Sequence, residues 1–119
     1  MSKGTLKLPS SNAMLKIGLM AINTIRRRTT IEKRGLNGTF KKYSKEYSEY
    51  KSKIRPGYSG VDLQLTGKMF ANLKVITYNT QRVIIGFTGV NAVKAAYNNK
   101  IRPFFGLKLH ELRKILKKI

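Results

Sequence analysis

Residue types able to carry acid–base, nucleophilic or metal chemistry are sparse in this chain. His110 is the single histidine, and its neighbour Glu111 sits in a lysine-rich stretch with no serine or cysteine partner in view. The carboxylates Glu32, Glu46, Glu49, Asp62 and Glu111 are scattered, and in so basic a chain their expected work is ion pairing. There is no cysteine, which removes thiolate metal sites, cysteine nucleophiles and disulfides together. No His/Asp/Glu group has metal-ligand spacing. The stretch "GFTGV" (86–90) holds two glycines but is neither a P-loop nor a dinucleotide fingerprint. The expectation is a protein that is not an enzyme, with no catalytic residue, no cofactor and no metal.

Binding chemistry is better supplied. Twenty-five Lys and Arg against five Asp and Glu give a net charge of +20, where a small soluble domain typically carries a magnitude of ~2–8. Self-repulsion on that scale opposes a compact state unless an anionic or tightly packed partner offsets it. Phosphates are the obvious anions, and Arg26, Arg27, Arg28, Lys41 and Lys42 are the candidate DNA-facing residues. Tyr43, Tyr47 and Tyr50, at i, i+4 and i+7 among lysines, share one helix face. They suit either base stacking or packing of a short helix onto the body with hydroxyls outward, and packing is the preferred reading. Zinc-finger, RRM and KH signatures are missing, and the cations are spread along the whole chain. That pattern fits proximity to nucleic acid better than sequence readout.

These residues must be positioned by a single domain, because 119 residues hold one core. The apolar fraction of 41% is ordinary for a globular protein, and no apolar run approaches the ~18 residues that span a bilayer, so no membrane contact is expected. Residues 1–10 read as a basic arm and 11–119 as one α+β domain. Ser10 or Ser11 caps a long helix running to about Lys33, with Leu15, Leu19 and Ile22 on one stripe and Met14, Ile17, Ala21 and Ile25 beside it. "GLNG" (35–38) ends it. A short helix over about 41–52 precedes the loop "KIRPGYSG" (53–60). Thr66 caps a short helix over 67–72. "LKVITY" (73–78) and "RVIIGF" (82–87) flank a turn at Asn79–Gln81, which predicts an antiparallel hairpin over about 73–88. Apolar residues on both its faces (Val83, Ile85 and Phe87 against Ile84) imply cover on both sides, at least in part. "NAVKAAYNN" (91–99) suits one more short helix. Leu109, Leu112, Ile115 or Leu116, and Ile119 make the apolar stripe of a C-terminal helix whose other face is Lys108, Arg113, Lys114, Lys117 and Lys118. The fold class is therefore α+β: a long N-terminal helix, a small antiparallel sheet with a central hairpin, and a C-terminal helix.

Two steps in this order resemble a known family. "LTGKMFANLKV" precedes the hairpin, with Thr66, Gly67 and Met69; "IRPFFGL" leads into the last helix, with Arg102, Pro103, Phe104, Gly106 and Leu107. The chain from about residue 38 to 119 thereby resembles the virion morphogenesis and tail-completion proteins of tailed bacteriophages. "FKKYSKEYSEYKSK" (40–53) is similar to a related phage head–tail group. Many members carry a His and a Gly between the sheet and the Arg-Pro-Phe step; here that stretch is "NAVKAAYNNK". The resemblance implies a structural protein of the virion, a small α+β subunit without enzyme activity. It implies a homo-oligomeric ring at the head–tail junction or the top of the tail (neck, head–tail connector, tail terminator). The expected partners are other copies of the chain, neighbouring connector and tail proteins, and genomic DNA passing a basic lumen. The expected location is the virion neck or tail, and the host cytoplasm during assembly. The alternative is a basic nucleic-acid-binding protein of a ribosome- or nucleoid-associated kind.

The segment Arg102, Pro103, Phe104, Phe105 and Gly106 is the candidate interface. Proline directs the chain out of the sheet region, one phenylalanine enters the subunit core, and the other packs on a neighbour or under the last helix. Arg102 pairs with Asp62 or with a partner's acid. A purely intramolecular plug is the competing reading.

Overall fold

Ser10 starts the first helix as the sequence requires. Its hydroxyl oxygen accepts the Ala13 N–H at 3.1 Å, and α1 runs Ser11–Thr30. The computed structural model describes residues 10–57, 60, 61, 63 and 68–118; the arm at 1–9, Asp62, Thr66, Gly67 and Ile119 lie outside the described residues. The buried face of α1 is Met14, Gly18, Ala21, Ile22, Ile25, Arg28 and Thr29. Leu19, expected on the apolar stripe, is exposed instead, because Gly18 draws the packing centre to its own side of the helix. A Cβ at Gly18 would lie 2.6 Å from Val83 Cγ2 and 3.1 Å from Val75 Cγ2, so only glycine lets the hairpin approach this closely.

After α1, Arg34–Gly35 (β1) and Gly38–Thr39 (β2) pair as a minimal antiparallel hairpin. Its two-residue loop is Leu36–Asn37, and Gly38 takes φ +102°. The sequence reading took "GLNG" only as a helix stop, although Asn-Gly is also a hairpin signal. The next helix, α2, spans Lys45–Ile54, with the Ser44 hydroxyl accepting the Tyr47 N–H at 3.2 Å. It begins later than expected because the backbone carbonyls of Lys41 and Lys42 are spent on the Arg102 guanidinium, at 2.7 and 3.0 Å.

A short helix, α3 (Lys68–Ala71), leads into the predicted hairpin, β3 (Leu73–Tyr78) and β4 (Val83–Phe87). Asn79 builds the turn: its side-chain oxygen accepts the N–H groups of Gln81 and Arg82 at 2.8 and 2.9 Å. The register pairs Leu73 with Phe87 and Val75 with Ile85, then slips by one residue at Ile76, a β-bulge. The inner face packs on α1. The outer face is open in the single chain, with Ile76 51% exposed and Ile84 41%, so the expected cover on both sides is missing there.

The chain closes with α4 (Asn91–Ile101) and α5 (Leu109–Leu116), joined by the Arg102–Lys108 segment. The architecture is mixed α+β, with two small antiparallel hairpins between helices. Ile22, Ile25, Leu63, Met69, Phe70, Leu73, Ala95 and Phe104 form the core. At its centre Phe70, Phe87 and Phe104 meet pairwise edge to face, with ring centroids 5.6–6.0 Å apart.

Candidate functional site

Proline and glycine keep 102–107 from being helix, so each polar backbone group there needs a partner from elsewhere. The structure supplies them from four directions. The Pro103 carbonyl accepts the Leu36 N–H at 2.9 Å, against Gly35, where a Cβ would collide with that same oxygen. The Asn99 side-chain oxygen accepts the N–H groups of both Phe104 and Phe105, each at 3.0 Å. The Arg28 guanidinium donates to the carbonyls of Phe104 and Gly106, the latter at 3.0 Å, and to the Glu111 carboxylate at 2.5 Å. Glu111 in turn accepts the Lys108 N–H at 2.8 Å, which caps α5.

This places the candidate interface residues. Phe104 is fully buried and Phe105 half-buried, its ring 5.2 Å from that of Phe87. Phe104 thus fills the core, while Phe105 packs on Phe87 with part of its surface left open. The Arg102 guanidinium lies over the Tyr43 ring, 4.8 Å from its centroid, while its N–H groups hold Lys41 and Lys42. Pro103 and Gly106 shape the turn and give their carbonyls to Leu36 and Arg28. The segment is a hub that ties the β1–β2 loop, α1, α4 and α5 together.

Of the candidate DNA-facing residues, Arg26, Arg27, Lys41 and Lys42 are exposed. Arg28 is not. It is 3% exposed and held by three acceptors, which corrects its assignment to the DNA-facing set. Arg28 lies three residues after Ile25 and seven after Ala21, so it continues the buried stripe of α1, which Arg26 and Arg27 do not. That spacing was available from sequence; the acceptors waiting there were not.

The tyrosines form the expected row. Tyr43 and Tyr47 meet edge to face at 4.7 Å, and Tyr47 and Tyr50 lie 6.3 Å apart. Tyr43 is an internal post. Its hydroxyl accepts the Leu63 N–H at 3.0 Å and the Lys51 ammonium at 3.3 Å, so it does not point outward as expected. Its ring carries two of the chain's own cations, Lys51 and Arg102. Lys51, one of the lysines around the tyrosine row, is fully buried. Tyr47, Tyr97, Lys94 and Arg102 border a cleft of about 880 Å³ between α2 and α4.

A second cleft, of about 590 Å³, lies between α1 and α5. Lys16, Arg27, His110, Lys114 and Lys118 face it. Its two carboxylates are both paired: Glu111 with Arg28, and Glu32 with Arg34 at 2.5 Å. The hydrogen bond from Arg34 holds the Glu32 carboxyl below its ordinary value, aided by the charges of Arg34, Arg27 and Arg28. His110 stands exposed at the rim, with no nucleophile beside it.

Apolar side chains also stand outward. On α5 only Ile115 is buried; Leu109 is 62% exposed, Leu116 50%, and Leu112 also lies open. Val90, Val93 and Tyr97 do the same around α4. Among the described residues no three His, Asp or Glu side chains gather as a metal site. No helix among them is long and apolar enough to cross a membrane. No protein family, curated protein or solved structure matches the chain.

Proposed function

We propose that this chain is a structural subunit of a phage virion, acting in a homo-oligomeric ring at the head–tail junction or the top of the tail. One observation carries the oligomer: two separate apolar surfaces stand open on one small basic chain. The first is the Leu109/Leu112/Leu116 stripe of α5, and the second is the outer hairpin face with Ile76 and Ile84. Both elements pack on α1, and each turns these residues away from it. Monomers seldom leave such surfaces unpartnered. Two unlike surfaces on one subunit suit head-to-tail contacts, which close into rings when the rotation allows. The virion assignment rests on the resemblance of the Arg-Pro-Phe-x-Gly step and its setting. The geometry gives that step a physical role, since it anchors the helix that presents the leucine stripe.

Quantitative mass spectrometry of purified, nuclease-treated particles tests this, with tailless and complete particles measured separately. The expected result is a low, fixed copy number consistent with one ring. A chain absent from all particles and recovered in ribosomal or nucleoid fractions would overturn the assignment in favour of a cellular nucleic-acid-binding protein.

A further inference from the structure

The groove between α1 and α5 carries positive charge in an arrangement that the whole-chain count does not convey. Lys16 and Arg27 line it from α1, eleven residues and so about 16 Å apart along the helix. Lys114 lines it from α5, one turn and about 6 Å after His110, and Lys118 lines it from just beyond the C-terminal end of that helix. These four cations are exposed, and their side chains engage no acceptor among the described residues. The carboxylates that could neutralise them are already bound by Arg28 and Arg34. Leu19 and Ile115 add apolar wall. A concave surface whose lining is mostly cationic, with its two carboxylates already paired, focuses a positive field outward.

We propose that this groove is a track for the phosphodiester backbone of a nucleic-acid duplex. An axial rise of about 3.4 Å per phosphate along one strand means that the α1 row spans about five base pairs, and one turn of α5 about two phosphates. The facing rows suit a ridge of charge such as a duplex backbone. They do not suit a planar anionic membrane, because the leucines that would insert into lipid lie on another face of α5. Contacts from these cations to phosphates carry no sequence information, so binding through them is independent of sequence. The DNA-facing surface is thereby moved from the predicted Arg26–Arg28 and Lys41–Lys42 set, of which only Arg27 lines the groove. The inference does not depend on the ring.

The test compares two full-length quadruple variants that lose the same charge. One carries Lys16→Gln, Arg27→Gln, Lys114→Gln and Lys118→Gln. The other carries Lys41→Gln, Lys42→Gln, Lys53→Gln and Lys100→Gln, all exposed positions away from the groove. Circular dichroism first verifies that both fold as the parent does. Affinity for a duplex of about 30 bp is then read by fluorescence anisotropy between about 50 and 200 mM salt. The groove variant is expected to bind more than tenfold more weakly near 0.1 M salt, with a log–log salt slope shallower by about 3 to 4, since each lost phosphate contact removes about 0.9. The control set is expected to keep most of the parent's affinity and slope. Equal losses in the two variants, or no loss in the groove variant, would overturn the proposal. So would an equal groove-dependent loss on polyglutamate or phosphatidylglycerol vesicles, or tighter groove-dependent binding of single-stranded RNA than of the duplex.

Discussion

Replacing Arg28 by methionine removes a side chain that holds α1, the Phe104–Gly106 turn and α5 together. Methionine fills much of the same volume, so the loss is polar rather than steric. The carbonyl of Phe104 sits in a buried setting, and losing its donor leaves an unsatisfied acceptor, at ~1–3 kcal/mol. Gly106 loses the same donor, at less cost because it is only partly buried. Glu111, 11% exposed, loses its counter-charge but keeps the Lys108 N–H. Breaking one side of a buried pair typically costs about 3–5 kcal/mol, and this arrangement belongs in that range. For a chain of this length each kcal/mol moves the melting temperature by about 4 °C, so Arg28→Met should melt roughly 12–20 °C below the parent. Lysine at this position places one compact charge where a planar fork served three acceptors, and Arg28→Lys should recover less than half of the loss. The assay is thermal and urea unfolding followed by circular dichroism, with Glu111→Gln and the double variant completing a cycle. The amide of Glu111→Gln can still accept from Lys108 and Arg28, so its own loss is smaller, and the double variant should lose less than the sum of the two by at least about 1 kcal/mol. Arg28→Met melting within about 2 °C of the parent, or strict additivity in the cycle, would refute the clamp.

Other perturbations follow from the same packing. Phe104→Ala empties the centre of the aromatic triangle and should cost about 3–5 kcal/mol, while Phe105→Ala, at a half-buried position, should cost less than half as much; equal losses in urea titrations would contradict this placement. Gly18→Ala should lower the melting temperature despite alanine's better helix propensity, because the added methyl meets the stiff Val83 side chain at 2.6 Å, and Gly18→Leu should lower it further; a rise with alanine would show that the hairpin gives way freely. For Glu32 the folded state lowers the carboxyl pKa through the Arg34 hydrogen bond, so its stabilisation is present above the ordinary glutamate value and is lost as pH falls through the depressed one. The pair is exposed on both sides and contributes only ~0–1 kcal/mol. Glu32→Gln should therefore melt slightly below the parent at neutral pH and level with it under acid; a gap that widens on acidification would reverse the sign of the argument.

Local rules made much of the fold legible. A serine before an apolar-periodic run gave the first helix its start, and alternating β-formers around an asparagine turn gave the central hairpin. Several of the misses share one cause, which is side chains that cross the fold to serve distant backbone. Lys41 and Lys42 look helical until Arg102, sixty residues away, takes their carbonyls. Asn99 reads as one of several helix-end polar residues, and nothing local announces that it serves two N–H groups of a turn. Arg28 looks like one cation among three. The expectation that one phenylalanine of the Pro-Phe-Phe-x step enters the core holds for Phe104, but that Arg28, Asn99 and Leu36 would serve the backbone around it could not be read locally.

The last helix concentrates the consequences. Its three sides do different work: Glu111 and Ile115 fix it to the body, Leu109, Leu112 and Leu116 form the outward stripe, and His110 and Lys114 face the groove, with Lys118 just beyond its end. In the ring proposed above, subunits of charge +20 would repel one another, and a polyanion held in the groove of each would offset that repulsion. Binding that favours the assembled state is linked to assembly in both directions. On this reasoning, duplex should promote oligomer formation by the parent and raise its apparent affinity as chain concentration increases, and the groove variant should lose both effects while keeping its leucine stripe. The Arg28–Glu111 pair is the joint through which both surfaces hold their place, which makes α5 the element whose orientation decides whether either contact can form.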